Sequence, residues 1–96
     1  MTIEKKNSGT TAEWKLEGWL DAKSSRELEQ ELNGLSADTT ALILDCAGVE
    51  YISSAGLRQF VLAHRIMKGE LTVKNLLPDV MNVFQATGLN KMFRFE

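Results

Sequence analysis

The sequence is poor in the residues that form disulfides and metal sites, since it has one cysteine and one histidine. The lone Cys46 excludes a disulfide within the chain, which is typical of proteins from a reducing compartment. One cysteine and one histidine cannot supply a tetrahedral metal site, and no carboxylates recur at metal-ligand spacing. We therefore expect a protein that carries no metal and no other cofactor.

Long apolar runs and an excess of basic residues are also missing. No segment approaches the roughly 20 apolar residues that a membrane helix needs, and residues 1–18 lack the apolar core of a signal peptide. The formal net charge is -2, and the 11 Lys and Arg residues are scattered, which disfavours binding to nucleic acid. The sequence thus predicts a cytoplasmic protein with protein partners, without nucleic-acid binding or membrane insertion.

The residues that are present are those of a folded domain. The 96 residues are 44% hydrophobic and 25% charged, with one proline, which is an ordinary balance for a chain with one core. No internal repeat, low-complexity tract or linker interrupts the sequence. We predict a single domain over residues 1–96.

Apolar residues recur with two different periods, which indicates alternating strands and helices. A period of two predicts a half-buried strand over 12–20, and steps of three or four predict a helix over 22–33. The further predicted elements are strands at 3–5, 41–45 and 70–74, helices at 55–67 and from Pro78, a turn at 46–51, and a short final strand in "KMFRF". This order predicts an α/β domain whose sheet is mixed, with an antiparallel N-terminal pair and right-handed crossovers.

A serine nucleophile is the first catalytic hypothesis, because two serines stand where a strand meets a helix. Such a serine needs a base within hydrogen-bond reach. His64 follows Ser54 by ten residues on one predicted helix, which is about 15 Å. The segment "ISSAG" also lacks the first glycine of a hydrolase elbow, and no glycine-rich phosphate loop is present. The sequence therefore does not predict an enzyme, and we expect both His64 and Cys46 to be packing residues.

The segment "YISSAGL" at 51–57 allows two interpretations of its serines. One hydroxyl would cap the following helix, or one would be displayed at the helix N-terminus, where the helix dipole and free N–H groups favour a phosphate. Gly56 weakens the helix intrinsically, so its presence indicates either a ligand or partner close to the backbone or tight helix packing.

Two further residues are candidates for binding. Trp19 falls on the polar face of its predicted strand, so it is either an exposed interface residue or is covered by a neighbouring segment. Asp21 stands where an N-cap is expected, and it is also placed to take part in binding.

Three segments together resemble the STAS domain family, in particular the bacterial anti-sigma factor antagonists. They are "LEGWLDAKSSRELEQEL", "ALILDCAGVEYISSAGLRQFVLAHR" and "ATGLNKMFRF", which extend the resemblance over about residues 12–95. The most specific part is a strand that ends in Asp, then a glycine-containing turn, an aromatic residue and serines that lead into Gly-Leu. The resemblance implies a mixed sheet of four or five strands with about three helices packed against it.

The family typically carries Asp-Ser-Ser-Gly-Leu at this junction, and its first serine is the phosphorylation site. In this sequence the family aspartate falls on Ser53, the phosphoacceptor on Ser54, the second serine on Ala55, and Gly-Leu on Gly56 and Leu57. The serine at 53 is a departure from the family pattern. The resemblance thus implies phosphorylation at Ser54, with Ser53 as the alternative acceptor.

The resemblance implies partner switching rather than catalysis. The unphosphorylated protein would bind an anti-sigma factor serine kinase, which uses its own bound ATP to modify the serine, and a serine phosphatase would reverse this. The implied partner-binding residues are Trp19, Asp21, Ser53, Ser54, Gly56, Leu57 and Arg58. The alternatives are an adaptor or regulatory subunit of an ABC-type lipid transporter, another signalling scaffold, and a small-ligand sensor.

Overall fold

Five strands and three helices alternate along the chain, in the order that the sequence predicts. The computed structural model describes residues 1–96. The elements are β1 (Thr2–Ser8), β2 (Thr11–Leu20), α1 (Ala22–Asn33), β3 (Ala41–Ile52), α2 (Ser54–Ile66), β4 (Leu71–Lys74), α3 (Pro78–Ala86) and β5 (Arg94–Phe95), with a 3-10 turn at Leu89–Lys91. None of the helices is long and apolar enough to cross a bilayer.

The strands form one sheet in the order β1-β2-β3-β4-β5. β1 pairs antiparallel with β2, and all other pairs are parallel. Because right-handed crossovers that advance in one direction bring every helix to the same side, this order packs α1, α2 and α3 on one face of the sheet. The predicted mixed sheet with helices against it is confirmed, and its second face has no helical cover.

The two faces of β2 differ in burial. Side chains at alternate positions point to the helices and are buried, namely those of Ala12, Trp14, Leu16 and Leu20. The positions between them carry charges, and the Glu13 carboxylate lies 3.7 Å from the Lys74 amine of β4. The period of two in the sequence therefore marks one covered face and one solvated face.

The strand β3 is longer than the sequence predicts. A turn was expected at 46–51, but the strand continues to Ile52 beside β2. β3 accommodates one extra residue between the partners of Lys15 and Glu17, and another between the partners of Gly18 and Trp19. The predicted turn is therefore wrong, because pairing with β2 satisfies this backbone as a bulged strand.

A cluster of phenylalanines joins α2, α3 and the C-terminal segment. The Phe60 ring meets Phe84 and Phe93 edge to face, with ring centroids 5.3 and 6.3 Å apart. Edge-to-face contacts of this kind add to the gain from burial. They fix α2 over the sheet and so fix the position of its N-terminus.

Candidate functional site

The candidate site lies at the carboxyl ends of the adjacent parallel strands β2 and β3. Leu20 pairs with Ile52 in the sheet, and the next residue of each strand, Asp21 or Ser53, is the N-cap of a helix. The N-termini of α1 and α2 therefore start side by side. In open α/β sheets, the carboxyl end of the strands is the usual place for binding.

Ser53 is the capping serine. Its hydroxyl accepts a hydrogen bond from the Gly56 N–H at 3.2 Å and donates one to the Leu20 carbonyl at 2.9 Å. Its own N–H donates to the same carbonyl at 2.9 Å. The Ser53 side chain is thus engaged twice, once in the helix cap and once in the link between β2 and α2.

Ser54 is the exposed serine. It is the first residue of α2, and its hydroxyl takes part in none of the side-chain hydrogen bonds of the chain. The N–H groups in the first turn of a helix have no partner within the helix. An anion at this position therefore meets N–H donors and the positive end of the helix dipole. Both interpretations of the serines therefore hold, each for a different residue. Ser53 caps the helix, and the Ser54 hydroxyl is displayed at its N-terminus.

Asp21 forms a capping box with Ser24. Its carboxylate accepts the Ser24 N–H at 3.0 Å, while its own N–H donates to the Ser24 hydroxyl at 2.9 Å. The hydrogen bonds from the Ser24 backbone and hydroxyl lower the pKa of the Asp21 carboxyl below its ordinary value. Asp21 is therefore an N-cap, as expected, and its exposure leaves the ionised carboxylate accessible to a partner.

Asp45 is a second carboxylate with a lowered pKa. Burial opposes its ionisation, but hydrogen bonds from the Ala47 N–H and the Asn75 amide, both at 3.1 Å, and the nearby amines of Lys74 and Lys15 more than offset this, so the pKa is lowered. Asp21 and Asp45 therefore stabilise the folded chain above their ordinary pKa of 3.8, and this effect is lost as the pH falls through their lowered folded-state pKa values.

The Asp21→Asn variant tests the contribution of this cap to stability against pH. Because the pKa of Asp21 is lowered on folding, its stabilising effect is present above the ordinary value of 3.8 and is lost as the pH falls through the folded-state pKa. Asparagine caps equally well but does not titrate. We expect the wild type to lose more stability than Asp21→Asn between pH 6 and pH 3 in urea unfolding; parallel losses would contradict this role. The Asp45→Asn variant measures in the same way how much of the acid-induced loss of stability is due to the second carboxylate.

Gly56 and Leu57 lie beneath the candidate site rather than on its surface. Both are buried, and a Cβ added to Gly56 would stand 2.8 Å from carbons of Ile52 and Leu20. The glycine is therefore explained by tight packing of α2 on the sheet, which was one of the two interpretations of its presence. The burial of Gly56 and of the Leu57 side chain does not support direct contact between a partner and these two residues.

Replacing Gly56 with alanine is expected to destabilise the fold. The added methyl group overpacks the contact with Leu20 and Ile52, which costs more than the helix propensity gained, so the net loss is about 1–2 kcal/mol. Gly34→Ala is the matched control, because its Cβ would lie at an ordinary 3.4 Å from the nearest atom. Equal unfolding midpoints in denaturant for the two variants would show that the packing at Gly56 is not tight.

Trp19 and Tyr51 form an exposed aromatic pair beside the helix N-termini. They are partners in the register of β2 and β3, with exposures of 62% and 47% and ring centroids 5.5 Å apart. Large exposed aromatic side chains are enriched at protein interfaces. Trp19 is thus exposed and not covered, whereas Tyr51 was missed because its segment was predicted to be a turn.

Arg58 lies one helical turn after Ser54. It is exposed and forms no ion pair, and the spacing of four residues places it on the same side of α2 as Ser54. The structure therefore brings Trp19, Asp21, Ser53 and Ser54 to the carboxyl ends of β2 and β3 and adds Tyr51 there, whereas Arg58 lies one turn further along α2.

Cys46 and His64, the two residues that could have supplied a nucleophile or a base, both pack against other parts of the chain. Cys46 is fully buried, and this burial together with the nearby Asp45 raises the pKa of its thiol to about 12. His64 lies on α2 as predicted, with its ring edge-to-face against Phe93 at 5.6 Å, and is separated from Ser54 by most of the helix. No group of three or more His, Cys, Asp or Glu side chains is placed to hold a metal ion.

Known proteins share the sequence pattern of this chain. The family model described as "Mlab, STAS domain" matches residues 3–94. BtrV of Bordetella bronchiseptica, a protein assigned as an anti-sigma factor antagonist, is 34% identical over 82 residues, which are 81% of this chain and 71% of BtrV.

Solved structures share its fold. An anti-sigma factor antagonist from Mycobacterium paratuberculosis superposes with a TM-score of 0.86 at 25% identity, over 98% of this chain and 83% of that one. The Bacillus cell fate determinant SpoIIAA in its phosphorylated form gives 0.77 at 18% identity, over 99% and 91% of the two chains. Its unphosphorylated form gives 0.78 at 16% identity, over 99% and 87%.

Proposed function

The chain belongs to the STAS domain family and is related to its anti-sigma factor antagonists, and from this premise we propose that it acts in partner switching. In its unphosphorylated form it binds an anti-sigma factor that is a serine kinase, and the sigma factor is released. The kinase, with its own bound ATP, phosphorylates Ser54, and this weakens the complex. A serine phosphatase restores the binding form. In this cycle the chain is a substrate and a binding partner in the cytoplasm, and it catalyses no step.

The free hydroxyl of Ser54 is the observation that carries this proposal. An acceptor serine must be accessible to a kinase, and the Ser54 hydroxyl is exposed without a hydrogen-bond partner. The Ser53 hydroxyl is hydrogen-bonded to the Leu20 carbonyl and the Gly56 N–H, so phosphorylation of Ser53 would break the cap of α2. Ser54 is therefore the better acceptor of the two.

The serine at position 53 is compatible with this role. Aspartate and serine are both strong N-cap residues, so either one starts the helix in the same way. The replacement therefore preserves the backbone geometry that presents Ser54. It changes the local charge next to the acceptor, which bears on the specificity of the kinase rather than on the accessibility of the serine.

A phosphoryl group on Ser54 would change the surface rather than the fold. It adds about −1.5 to −2 charges, and a helix N-terminus tolerates an anion. The two forms of SpoIIAA resemble this chain almost equally, with TM-scores of 0.77 and 0.78. We infer that the exposed surface formed by Trp19, Asp21, Tyr51 and Ser54, with Arg58 at its edge, meets the kinase, and that the added charge disturbs this contact.

The second candidate function is that of an adaptor in an ABC-type lipid transporter or another signalling assembly. It would use the same exposed surface, and it is favoured by the loss of the family aspartate at Ser53. In such an adaptor Ser54 needs no modification.

Affinity purification of the tagged chain from its own cells tests both candidates. Partner switching predicts a serine kinase among the captured proteins and a mass increase of about 80 Da on the peptide that contains Ser54. The same capture with Ser54→Ala serves as the control for site assignment, because it removes the modification. An ABC ATPase among the partners, with both serines unmodified under all growth conditions, would overturn partner switching and support the adaptor.

A further inference from the structure

A groove lies between α1 and α2 on the outer side of the helical layer, away from the Trp19–Tyr51 pair. Its volume is about 530 Å³. The residues that matter here are Arg26 and Glu29 of α1, and Arg58, Gln59, Leu62 and Arg65 of α2.

The groove is positively charged in a chain that is negative overall. Its lining holds three arginines against the one carboxylate of Glu29, whereas the net charge of the chain is -2. The three ion pairs of the chain join Lys5 to Glu31, Lys74 to Glu13 and Arg94 to Glu70, so none involves a groove arginine. Three unpaired guanidinium groups around one concave surface are suited to carboxylate ligands.

Gln59, which lines the groove, has a side-chain hydrogen-bond acceptor without a partner. The residue is 9% exposed, and its side-chain oxygen is buried without a hydrogen-bond partner. Buried polar atoms in native proteins are normally bonded, so an unbonded one requires an explanation. A polypeptide supplies N–H donors as well as carboxylates, whereas a simple phosphate or carboxylate ion supplies mainly acceptors.

We propose that the groove between α1 and α2 binds an acidic segment of the protein partner, with Arg26, Arg58 and Arg65 pairing with its carboxylates. The inference rests on the proposed function in that the segment belongs to the anti-sigma factor. The groove is thus a second contact, which adjoins the surface around Trp19, Asp21, Tyr51 and Ser54 at Arg58. Arg58 and Arg65 stand two helical turns apart, about 10.5 Å along α2, so carboxylates of an extended or helical segment reach both.

The groove also connects with the modification site. Ser54 and Arg58 are spaced i,i+4 on α2, the spacing at which opposite charges pair on a helix surface. A phosphoryl group on Ser54 therefore competes for the Arg58 guanidinium and withdraws it from the acidic segment. Phosphorylation then weakens binding at the groove through a contact within the chain.

Titration of the ¹⁵N-labelled chain with an acetylated and amidated octapeptide of alternating Glu and Leu tests the groove. We expect amide shift changes confined to residues 22–29 and 55–65, and an affinity about tenfold weaker in the double variant Arg58→Gln/Arg65→Gln. The matched control is Lys91→Gln/Arg94→Gln, which removes the same charge from exposed positions outside the groove and should bind as the wild type does. Equal loss in both double variants, or shifts centred elsewhere, would overturn the proposal.

A lipid surface and free phosphate are the competing anionic ligands. The chain is added to phosphatidylglycerol vesicles in a sedimentation assay and, separately, to inorganic phosphate in the same NMR titration. We expect neither to bind at peptide-binding concentrations, since the arginines line a concave groove and not a flat surface. Sedimentation with the vesicles or phosphate-induced shifts in 22–29 and 55–65, in the absence of peptide binding, would refute the acidic segment.

Failure of this inference and failure of the proposed function give different results. If the wild type captures a kinase and Arg26→Gln/Arg65→Gln, whose two arginines line the groove and lie outside the kinase-facing surface, captures it equally well, the groove is not part of the interface, and partner switching stands. If no kinase is captured, partner switching fails, while the peptide titration still tests the groove.

Discussion

Replacing Phe60 with alanine is expected to lower the free energy of unfolding by about 3–5 kcal/mol. The ring is fully buried and meets Phe84 and Phe93 edge to face, so the substitution removes a large apolar area and leaves a cavity among rings that cannot easily close it. A domain of this size has a total stability of about 5–15 kcal/mol, so the loss is a large part of the whole. Urea unfolding followed by tryptophan fluorescence measures it.

Phe95→Ala is the control for this prediction. Phe95 also belongs to the aromatic cluster, with its ring centroid 6.0 Å from that of Phe84, but it is only partly buried at the end of the chain. Its truncation should therefore cost clearly less than that of Phe60. A similar loss in the two variants, or a loss below about 1 kcal/mol in Phe60→Ala, would contradict the view that the cluster holds α2 on the sheet.

The fold was largely predictable because its elements carry strong local signals. The helix α1 starts and ends where Asp21 and Gly34 indicate, and the period of two in β2 identifies its buried face. The antiparallel pairing of β1 with β2 follows from their short connection, and the parallel pairing of β2 with β3 follows from the helical crossover between them. These signals are local, or depend on rules of connection that hold across proteins.

The extension of β3 was not predictable from local signals. The segment "CAGVEY" contains a glycine and changes its apolar pattern, which is typical of a turn. Its strand conformation depends on pairing with β2 and on the two extra residues that shift the register. Tyr51 lies beside Trp19 only because of this pairing, so the local sequence pattern does not predict it as a site residue.

The two serines show how much of the candidate site the sequence could predict. Both serines are good N-cap residues. The local sequence therefore predicts one capping serine and one exposed serine at the junction, but it does not determine which is which. The assignment depends on the hydrogen bond from Ser53 to Leu20, which exists because β2 and β3 are neighbours in the sheet. The explanation of Gly56 likewise depends on contacts with Leu20 and Ile52.

Ser54→Glu is expected to weaken binding to the captured kinase by about 10- to 100-fold, because it places a negative charge in the proposed interface. Ser54→Ala, which adds no charge, should bind within about threefold of the wild type. Titration calorimetry with the purified kinase measures both. Stability should not fall in Ser54→Glu, since an acidic residue in the first turn of a helix is favourable by about 0.3–1 kcal/mol, so a loss of binding would not result from unfolding.

Ser8→Glu is the matched control, because it makes the same change at an exposed serine next to the β1–β2 turn, at the end of β2 opposite to the candidate site. It should bind as the wild type does, whereas stoichiometrically phosphorylated protein should lose at least as much affinity as Ser54→Glu, since phosphate carries more charge than a carboxylate. Equal losses in Ser8→Glu and Ser54→Glu would mean that net charge, and not the position of Ser54, controls the complex. Undiminished binding by both Ser54→Glu and the phosphorylated protein would refute the switch, and Ser54 would then be an exposed serine without a regulatory role.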